Sequence, residues 1–126
     1  MNVVDSCGWL ERFAGSRYGE LYEAAFREPN DVLVPIVCII EVFRTLARQT
    51  GDSVALEAAG IMSQRSVVPL DADGAVDAAR AGLSHHLPLA DSIIYATARR
   101  HDAELWTHDE HFRGLPGVHF VEAPAV

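Results

Sequence analysis

Four acidic residues stand next to apolar segments of the sequence, where an ionised carboxylate is costly unless it is paired or bound to a cation. They are Asp5, Glu41, Asp91 and Asp109. Several carboxylates that meet at one place suit hard divalent cations such as Mg²⁺ or Mn²⁺. A cation of this kind activates water and neutralises the charge that builds up on a phosphodiester during its hydrolysis. These residue types therefore indicate a metal site for phosphodiester chemistry, provided that the fold brings them together.

Asp5 follows the short, β-branched segment 2–4, which predicts a buried strand. A carboxylate at the end of a first parallel strand points into the crevice where open α/β sheets bind ligands. Glu41 interrupts the apolar run 36–43, in a segment with helical periodicity. The alternative for Glu41 is an ordinary ion pair with Arg44 or Arg48, which share its helical face.

Asp91 lies near the start of a strongly apolar helical segment. Its neighbours at helical spacing are Ile94, Tyr95 and Ala98, so it lies on or beside an apolar face. The simpler alternative is an aspartate that stabilises the helix N-terminus through the macrodipole and the free amides of the first turn.

Asp109 follows a predicted strand that ends at Thr107. The Thr107 hydroxyl is expected to accept a hydrogen bond from a backbone amide near Asp109 or Glu110. The segment is either a simple N-terminal turn or one wall of the crevice that also holds Asp5. Both interpretations stay open on the sequence alone.

The histidines and cysteines carry weaker signals. His108 and His111 flank Asp109, and either could contact a substrate phosphate, but exposed polarity at a helix start is the safer interpretation. Cys7 and Cys38 are expected to be small buried thiols in a reducing compartment. The histidines do not form a zinc pattern with the cysteines.

Strands alternate with helices along the whole chain, which is typical of βαβ units and an α/β fold with a parallel sheet. The predicted strands are 2–4, 32–34, 66–70, 103–107 and 118–121. The predicted helices are 6–13, with Ser6 as its cap, 17–28, 37–48, 53–64 with Ser53 as its cap, 71–83, 89–100 and 109–113. The proline within 66–70 predicts an edge strand.

The length of 126 residues predicts a single domain over 1–126 with a proper core. No apolar run reaches the length of a membrane span, and the first residues lack a secretory signal, so a cytoplasmic protein is expected. The net charge of −8 argues against a DNA-binding module that neutralises phosphates with a basic face. It does not exclude a nucleic-acid enzyme, because bound divalent ions invert the sign of the local charge.

Four stretches together resemble the PIN domain, and specifically the VapC-type toxins of toxin–antitoxin pairs. The stretches are Val3-Val4-Asp5-Ser6 with Trp9-Leu10, Ile40-Glu41-Val42, residues 87–98 and residues 107–112. They occur in the family's order and cover essentially the whole chain. The third stretch, which contains Pro88-Leu89-Ala90-Asp91, is the most specific of the four.

The resemblance implies a PIN-like three-layer α/β/α fold with a five-stranded parallel sheet and a Mg²⁺- or Mn²⁺-dependent endoribonuclease. Asp5, Glu41 and Asp91 match the metal-binding and catalytic acids, Asp109 the fourth acid and Thr107 the supporting hydroxyl. Some relatives have a further acid where this chain has His111, which predicts a second metal site that is either weak or filled only when RNA is bound. The resemblance also implies an RNA substrate, a homodimer and a small VapB-like antitoxin, for which the acidic net charge fits a basic segment.

Two other classes of function are compatible with an α/β chain of this length. A non-catalytic PIN-fold docking subunit would keep the sheet without the chemistry, and four intact carboxylates argue against it. A phosphatase or receiver-like domain would use Asp5 as a phosphate acceptor, but the chain lacks the second aspartate close after Asp5 that such a phosphatase would use.

Overall fold

The computed structural model describes all 126 residues, and its centre is a sheet of five parallel strands. The strands are β1 (Asn2–Val4), β2 (Val32–Pro35), β3 (Ser66–Val68), β4 (Glu104–Thr107) and β5 (Val118–Phe120). Their order across the sheet is β3-β2-β1-β4-β5, and every neighbouring pair is parallel. The predicted five-stranded parallel sheet is thereby confirmed.

Helices connect the strands and flank the sheet, which confirms the predicted α/β class. The α-helices are α1 (Ser6–Ala14), α2 (Arg17–Glu20), α3 (Ile36–Thr50), α4 (Asp52–Ser63), α5 (Ala72–His85) and α6 (Leu89–Arg100). Short 3₁₀ helices occupy Glu23–Phe26, Pro29–Asp31 and Glu110–Phe112. No helix combines the length and the apolar character needed to cross a lipid bilayer.

The two central strands are the most deeply buried part of the sheet. Val3 and Val4 of β1 and Val32 and Val34 of β2 are fully enclosed, in one core with the helix residue Trp9. Strands buried on both faces are apolar at nearly every position, whereas half-buried strands alternate apolar and polar residues. The short continuous apolar runs in the sequence therefore predicted buried strands. The core holds β1 rigidly at the middle of the sheet.

The strand order reverses direction beside β1, since the chain proceeds to β2 and β3 on one side and to β4 and β5 on the other. This is the position where the connections leave a crevice outside the carboxyl ends of the strands. The residues that follow β1 and β4 must therefore face each other across this crevice.

Helix α1 begins immediately after β1, and the cap differs from the predicted one. Asp5 is the N-cap, with its carboxylate accepting a hydrogen bond from the Ser6 amide, so the prediction of Ser6 as the cap is wrong. The tight strand-to-helix turn packs Gly8 against Val4 and Tyr22, where an added Cβ would lie 2.7 and 2.5 Å from their side chains. A glycine is needed there to let α1 approach the sheet.

The predicted continuous helix over 17–28 is wrong. The segment divides into α2 and the 3₁₀ helix Glu23–Phe26, with only Gly19 buried in α2 and Tyr22, Ala25 and Phe26 buried afterwards. The contact of Gly19 with the backbone of α1 and the burial of Tyr22 beside Gly8 override the helical propensity of the segment.

Smaller corrections concern element ends. β3 ends at Val68, before Pro69, while its predicted edge position is confirmed. Helix α4 begins at Asp52 after Gly51, so Ser53 lies inside the helix and does not cap it. The last predicted helix is a single 3₁₀ turn capped by Asp109.

Candidate metal centre

The structure brings all five candidate residues to the crevice at the carboxyl ends of the strands. Asp5 follows β1, Thr107 ends β4 and Asp109 comes two residues later. Glu41 lies in the second turn of α3, the helix after β2, and Asp91 lies in the first turn of α6, the helix before β4. Contacts through Ser6, Thr107 and His111 connect these positions. Of the four acids, only Asp91 and Asp109 belong to the group, with His111, whose ligand atoms all lie within 4.8 Å of one another.

Asp5 is the enclosed centre of this group, with only 2% of its surface exposed. Its Oδ1 accepts a hydrogen bond of 2.8 Å from the Ser6 amide, and its Oδ2 accepts one of 2.7 Å from the Thr107 hydroxyl. Thr107 is itself fully buried. Two donors thus hold the carboxylate in a single orientation.

Glu41 joins the group through Ser6, because the Ser6 hydroxyl lies 3.0 Å from Glu41 Oε1 and 3.5 Å from Asp5 Oδ1. Glu41 forms no ion pair with Arg44 or Arg48. The surface ion pair considered as the alternative for Glu41 is therefore absent, and its carboxylate is turned toward Asp5.

Asp91 occupies the helix-start position of the simpler alternative, but it is also buried and directed into the crevice. Its side chain is 12% exposed, and Oδ2 lies 3.4 Å from His111 Nδ1. Burial raises the pKa of Asp91, and the nearby carboxylates of Asp109 and Asp5 raise it further. A helix-start role alone would not place Asp91 within reach of other acids.

The turn after β4 supplies the remaining groups. As predicted, the Thr107 hydroxyl accepts a hydrogen bond from the Asp109 amide, at 2.9 Å. Asp109 Oδ1 then accepts a hydrogen bond from the His111 amide, and His111 Nδ1 lies 2.7 Å from the same oxygen. The tight 3₁₀ turn therefore directs His111 inward, toward Asp109 and Asp91.

Burial and mutual repulsion perturb the central acids. Burial, together with the charges of Glu41 and Asp109, raises the pKa of Asp5 to about 6, even though the bonds from Thr107 and Ser6 act to lower it. Burial, followed by the charge of Asp109, raises the pKa of Asp91 to about 7. Perturbed carboxylates of this kind cluster at functional sites.

The donor set of the crevice fits a divalent cation. Asp91, Asp109 and His111 each offer a ligand atom, and these atoms all lie within 4.8 Å of one another. A positive ion would relieve the repulsion that raises the pKa values of Asp5 and Asp91, because an opposite charge stabilises the ionised form. The acidic group with its histidine is thus consistent with a metal site of the kind that the carboxylate pattern predicted.

Two residues of this site were missed in the sequence. Ser6 links Asp5 to Glu41, and Cys7 Sγ lies 3.6 Å from both Asp5 Oδ2 and Thr107 Oγ1. Burial raises the pKa of the Cys7 thiol to about 12, so Cys7 packs against the site as a neutral group. The sequence did contain one signal for Ser6 and Cys7, which is their position directly after Asp5 in the first turn of a helix.

The comparisons with known proteins agree with this fold. The family model of the PIN domain matches residues 3–118, so the chain belongs to the PIN domain family. No curated protein sequence matches the chain significantly.

Solved structures place the fold among toxin–antitoxin proteins. A chain of a toxin–antitoxin complex from Klebsiella pneumoniae is 24% identical, with a TM-score of 0.80 over 97% of this chain and 98% of that chain. VapC20 from Mycobacterium tuberculosis, a toxin that cleaves the sarcin–ricin loop, is 21% identical, with a TM-score of 0.77 over 94% and 97%. A chain of VapBC2 from Rickettsia felis, bound to a promoter DNA fragment, is 13% identical, with a TM-score of 0.71 over 96% and 98%. At these identities the matches establish a shared PIN fold with VapC toxins.

Proposed function

We propose that this PIN-domain protein is a Mg²⁺- or Mn²⁺-dependent endoribonuclease that acts as the toxin of a toxin–antitoxin pair. The observation that carries the proposal is the meeting of Asp5, Glu41, Asp91 and Asp109 in the strand-end crevice, connected through Ser6, Thr107 and His111. VapC20, which shares the fold, is a toxin that cleaves RNA at the sarcin–ricin loop.

In this proposal Asp5, Asp91 and Asp109 hold the cation, which when bound activates water and neutralises charge on the phosphate. Glu41 also contributes an oxygen, as a ligand or as the group that orients the attacking water. Thr107 keeps Asp5 in place through its hydrogen bond of 2.7 Å. Water adds to phosphorus and one bridging P–O bond breaks, so that no side chain has to act as a nucleophile.

The unreactive state of Cys7 supports hydrolysis by water over a covalent mechanism. Cys7 supplies the only thiol in contact with Asp5. Because the pKa of this thiol is raised to about 12, it is protonated at neutral pH. A protonated thiol is neither a nucleophile nor a good metal ligand. The carboxylates therefore carry the chemistry.

The proposal includes a VapB-like antitoxin and a homodimer as partners. An apolar groove between α1, α3 and α4 offers a surface for a partner segment; it is lined by Leu10, Phe13, Leu46, Val54, Ala58 and Ile61, together with Glu11 and Glu57. The net charge of −8 favours a partner segment that combines apolar and basic residues. The relatives from Klebsiella pneumoniae and Rickettsia felis were solved in toxin–antitoxin complexes.

Cleavage of purified RNAs tests the activity. The protein is incubated with total RNA and with ribosomal and transfer RNA fractions in Mn²⁺, in Mg²⁺ and in chelator, beside the variant Asp5→Asn. We expect discrete fragments from the wild-type protein in either metal, and none in chelator or from the variant. Equal cleavage by Asp5→Asn would refute the role of Asp5, and an inert wild-type protein would favour the docking subunit.

A further inference from the structure

His111 enters the acidic group from the exposed side of the crevice. Its Nδ1 lies 2.7 Å from Asp109 Oδ1 and 3.4 Å from Asp91 Oδ2, while 55% of the side chain remains exposed to solvent. The sequence predicted an exposed polar residue at this position, and the exposure of His111 is confirmed. The structure also places its imidazole nitrogen between two of the proposed metal-binding carboxylates.

Both distances from His111 Nδ1 to the carboxylate oxygens match the distance between neighbouring ligands of one ion, and the ligand atoms of the three residues all lie within 4.8 Å of one another. Ligands at about 2.1 Å from an octahedral cation lie roughly 3 Å apart when they are adjacent. The two distances from His111 Nδ1, 2.7 and 3.4 Å, lie on either side of that value. The imidazole nitrogen and the two carboxylate oxygens can therefore bind one ion with small rotations of their side chains.

We infer that His111 Nδ1 is a direct ligand of the catalytic cation, so that the site is a mixed nitrogen–oxygen site and not an all-carboxylate one. The inference rests on the proposed metal-dependent function and specifies which ion the site prefers. His111 lies at the position where an acid would supply a further oxygen.

A nitrogen ligand changes the metal preference of the site. Mg²⁺ prefers oxygen ligands, whereas imidazole suits the divalent transition metals, whose affinity for nitrogen donors rises from Mn²⁺ to Co²⁺. Replacing a carboxylate by a neutral imidazole also removes one negative charge, which weakens binding of Mg²⁺ most because Mg²⁺ binding depends chiefly on charge. The site should therefore bind Mn²⁺ and Co²⁺ more tightly than Mg²⁺.

The competing explanation is that His111 acts as a built-in positive charge that occupies the place of an ion. In that case the imidazolium repels metal, and its removal tightens metal binding. The two explanations predict opposite changes for the same substitution, which makes them separable.

Metal titration and electron paramagnetic resonance of the protein distinguish a metal-binding His111 from a His111 that takes the place of the ion. Affinities for Mn²⁺ and Mg²⁺ are measured by calorimetry for the wild-type protein, His111→Gln, His111→Asp and the control His119→Gln, whose side chain is outside the acidic group. Spin-echo modulation of bound Mn²⁺ reports directly whether a ¹⁴N nucleus of imidazole is coordinated.

We expect nitrogen modulation in the wild-type protein and in His119→Gln, and its loss in both His111 variants. His111→Gln should weaken Mn²⁺ binding at least about tenfold, the smallest effect typical of losing even an outer partner of a metal site. His111→Asp should recover affinity and bind Mg²⁺ better than the wild-type protein does.

Bound Mn²⁺ without nitrogen modulation, or tighter Mn²⁺ binding by His111→Gln, would overturn the inference while leaving the metal-dependent function in place. A wild-type protein that binds neither ion would overturn both. Loss of binding in Asp5→Asn, measured in parallel, identifies the titrated site as the crevice.

Discussion

The Thr107 hydroxyl donates a hydrogen bond of 2.7 Å to Asp5 Oδ2, across 102 positions of sequence and between the ends of two adjacent strands. The same hydroxyl oxygen accepts a bond of 2.9 Å from the Asp109 amide. One buried side chain thus sets the relative positions of two of the acids. The relative positions of Asp5 and Asp109 in the crevice therefore depend on the two hydrogen bonds of Thr107.

Replacement of Thr107 by valine should impair both stability and cleavage. Valine preserves the shape but leaves a buried carboxylate oxygen and an amide without their partner, at a cost of about 1–3 kcal/mol. Denaturant unfolding and RNA cleavage rates measure the two effects. Thr107→Ser keeps the hydroxyl and should retain most of the activity; if the valine variant cleaves as well as the serine variant, the positioning role is wrong.

Glu41→Gln should remove activity while the fold persists. Glu41 is half-buried, contacts the Ser6 hydroxyl and has no arginine partner whose loss would unfold the protein. A residue that orients attacking water contributes about 10²–10⁴-fold to the rate. Single-turnover cleavage measures the loss, with the exposed Arg44→Ala as the matched control. A glutamine variant with the rate of the control would exclude Glu41 from the mechanism.

The metal-free protein should lose stability as the pH rises from 5 to 8. The pKa values of Asp5 and Asp91 in the folded state are about 6 and about 7, above the value of about 4 in an unfolded chain. The folded state therefore binds more protons than the unfolded state in this window, so its stabilisation is present at low pH and is lost as the pH rises through the folded pKa values. The raised pKa of His111, caused by its bond to Asp109, acts in the same direction.

Thermal unfolding in chelator at several pH values checks this dependence, whose size should be on the order of 4 kcal/mol for Asp5 and Asp91 together. The lowered pKa values of Asp71, Glu110 and Glu122 act in the opposite direction, mainly below pH 5, because stability from such carboxylates is lost as the pH falls. Burial lowers the pKa of His108, which opposes the trend within this window. Added Mn²⁺ should restore stability at pH 8 through binding to the folded state. Asp5→Asn should flatten the profile, and a wild-type protein that gains stability between pH 5 and 8 would contradict the account.

Gly8→Ala should destabilise the protein because the turn into α1 leaves no space for a methyl group. The added Cβ would lie 2.5 Å from the Tyr22 ring and 2.7 Å from Val4, and such overpacking costs about 1–3 kcal/mol. Gly60→Ala is the matched control, since its Cβ meets nothing within 4 Å on an exposed face of α4 and should stabilise the helix by up to about 1 kcal/mol. Equal unfolding midpoints for the two variants would show that the turn adapts.

The sequence was sufficient for the architecture because the buried strands and the amphipathic helices leave clear patterns. The edge position of β3 followed from Pro69, and the bond between Thr107 and the Asp109 amide followed from turn chemistry. The region 17–28 was not predictable in the same way. Its helical periodicity is real, but contacts of Gly19 and Tyr22 with α1 divide it into short turns.

The acids of the candidate site could be predicted from the sequence, but the hydrogen bonds that connect them could not. Asp5, Glu41 and Asp91 were detectable because a carboxylate among apolar residues needs a partner. The direction of His111 depends on a single 3₁₀ turn, whose backbone bond to Asp109 the sequence pattern does not encode. The link from Asp5 to Glu41 through Ser6 likewise arises only when α1 and α3 pack together.

The most direct test of the metal centre is a crystal structure of the protein with Mn²⁺, analysed by its anomalous scattering. We predict a strong anomalous peak in the crevice, bound by carboxylate oxygens of Asp5, Asp91 and Asp109 together with His111 Nδ1, and no such peak in crystals of Asp5→Asn. Well-ordered crystals with saturating Mn²⁺ and no peak between these side chains would contradict the central claim that the four acids gather to hold a divalent cation.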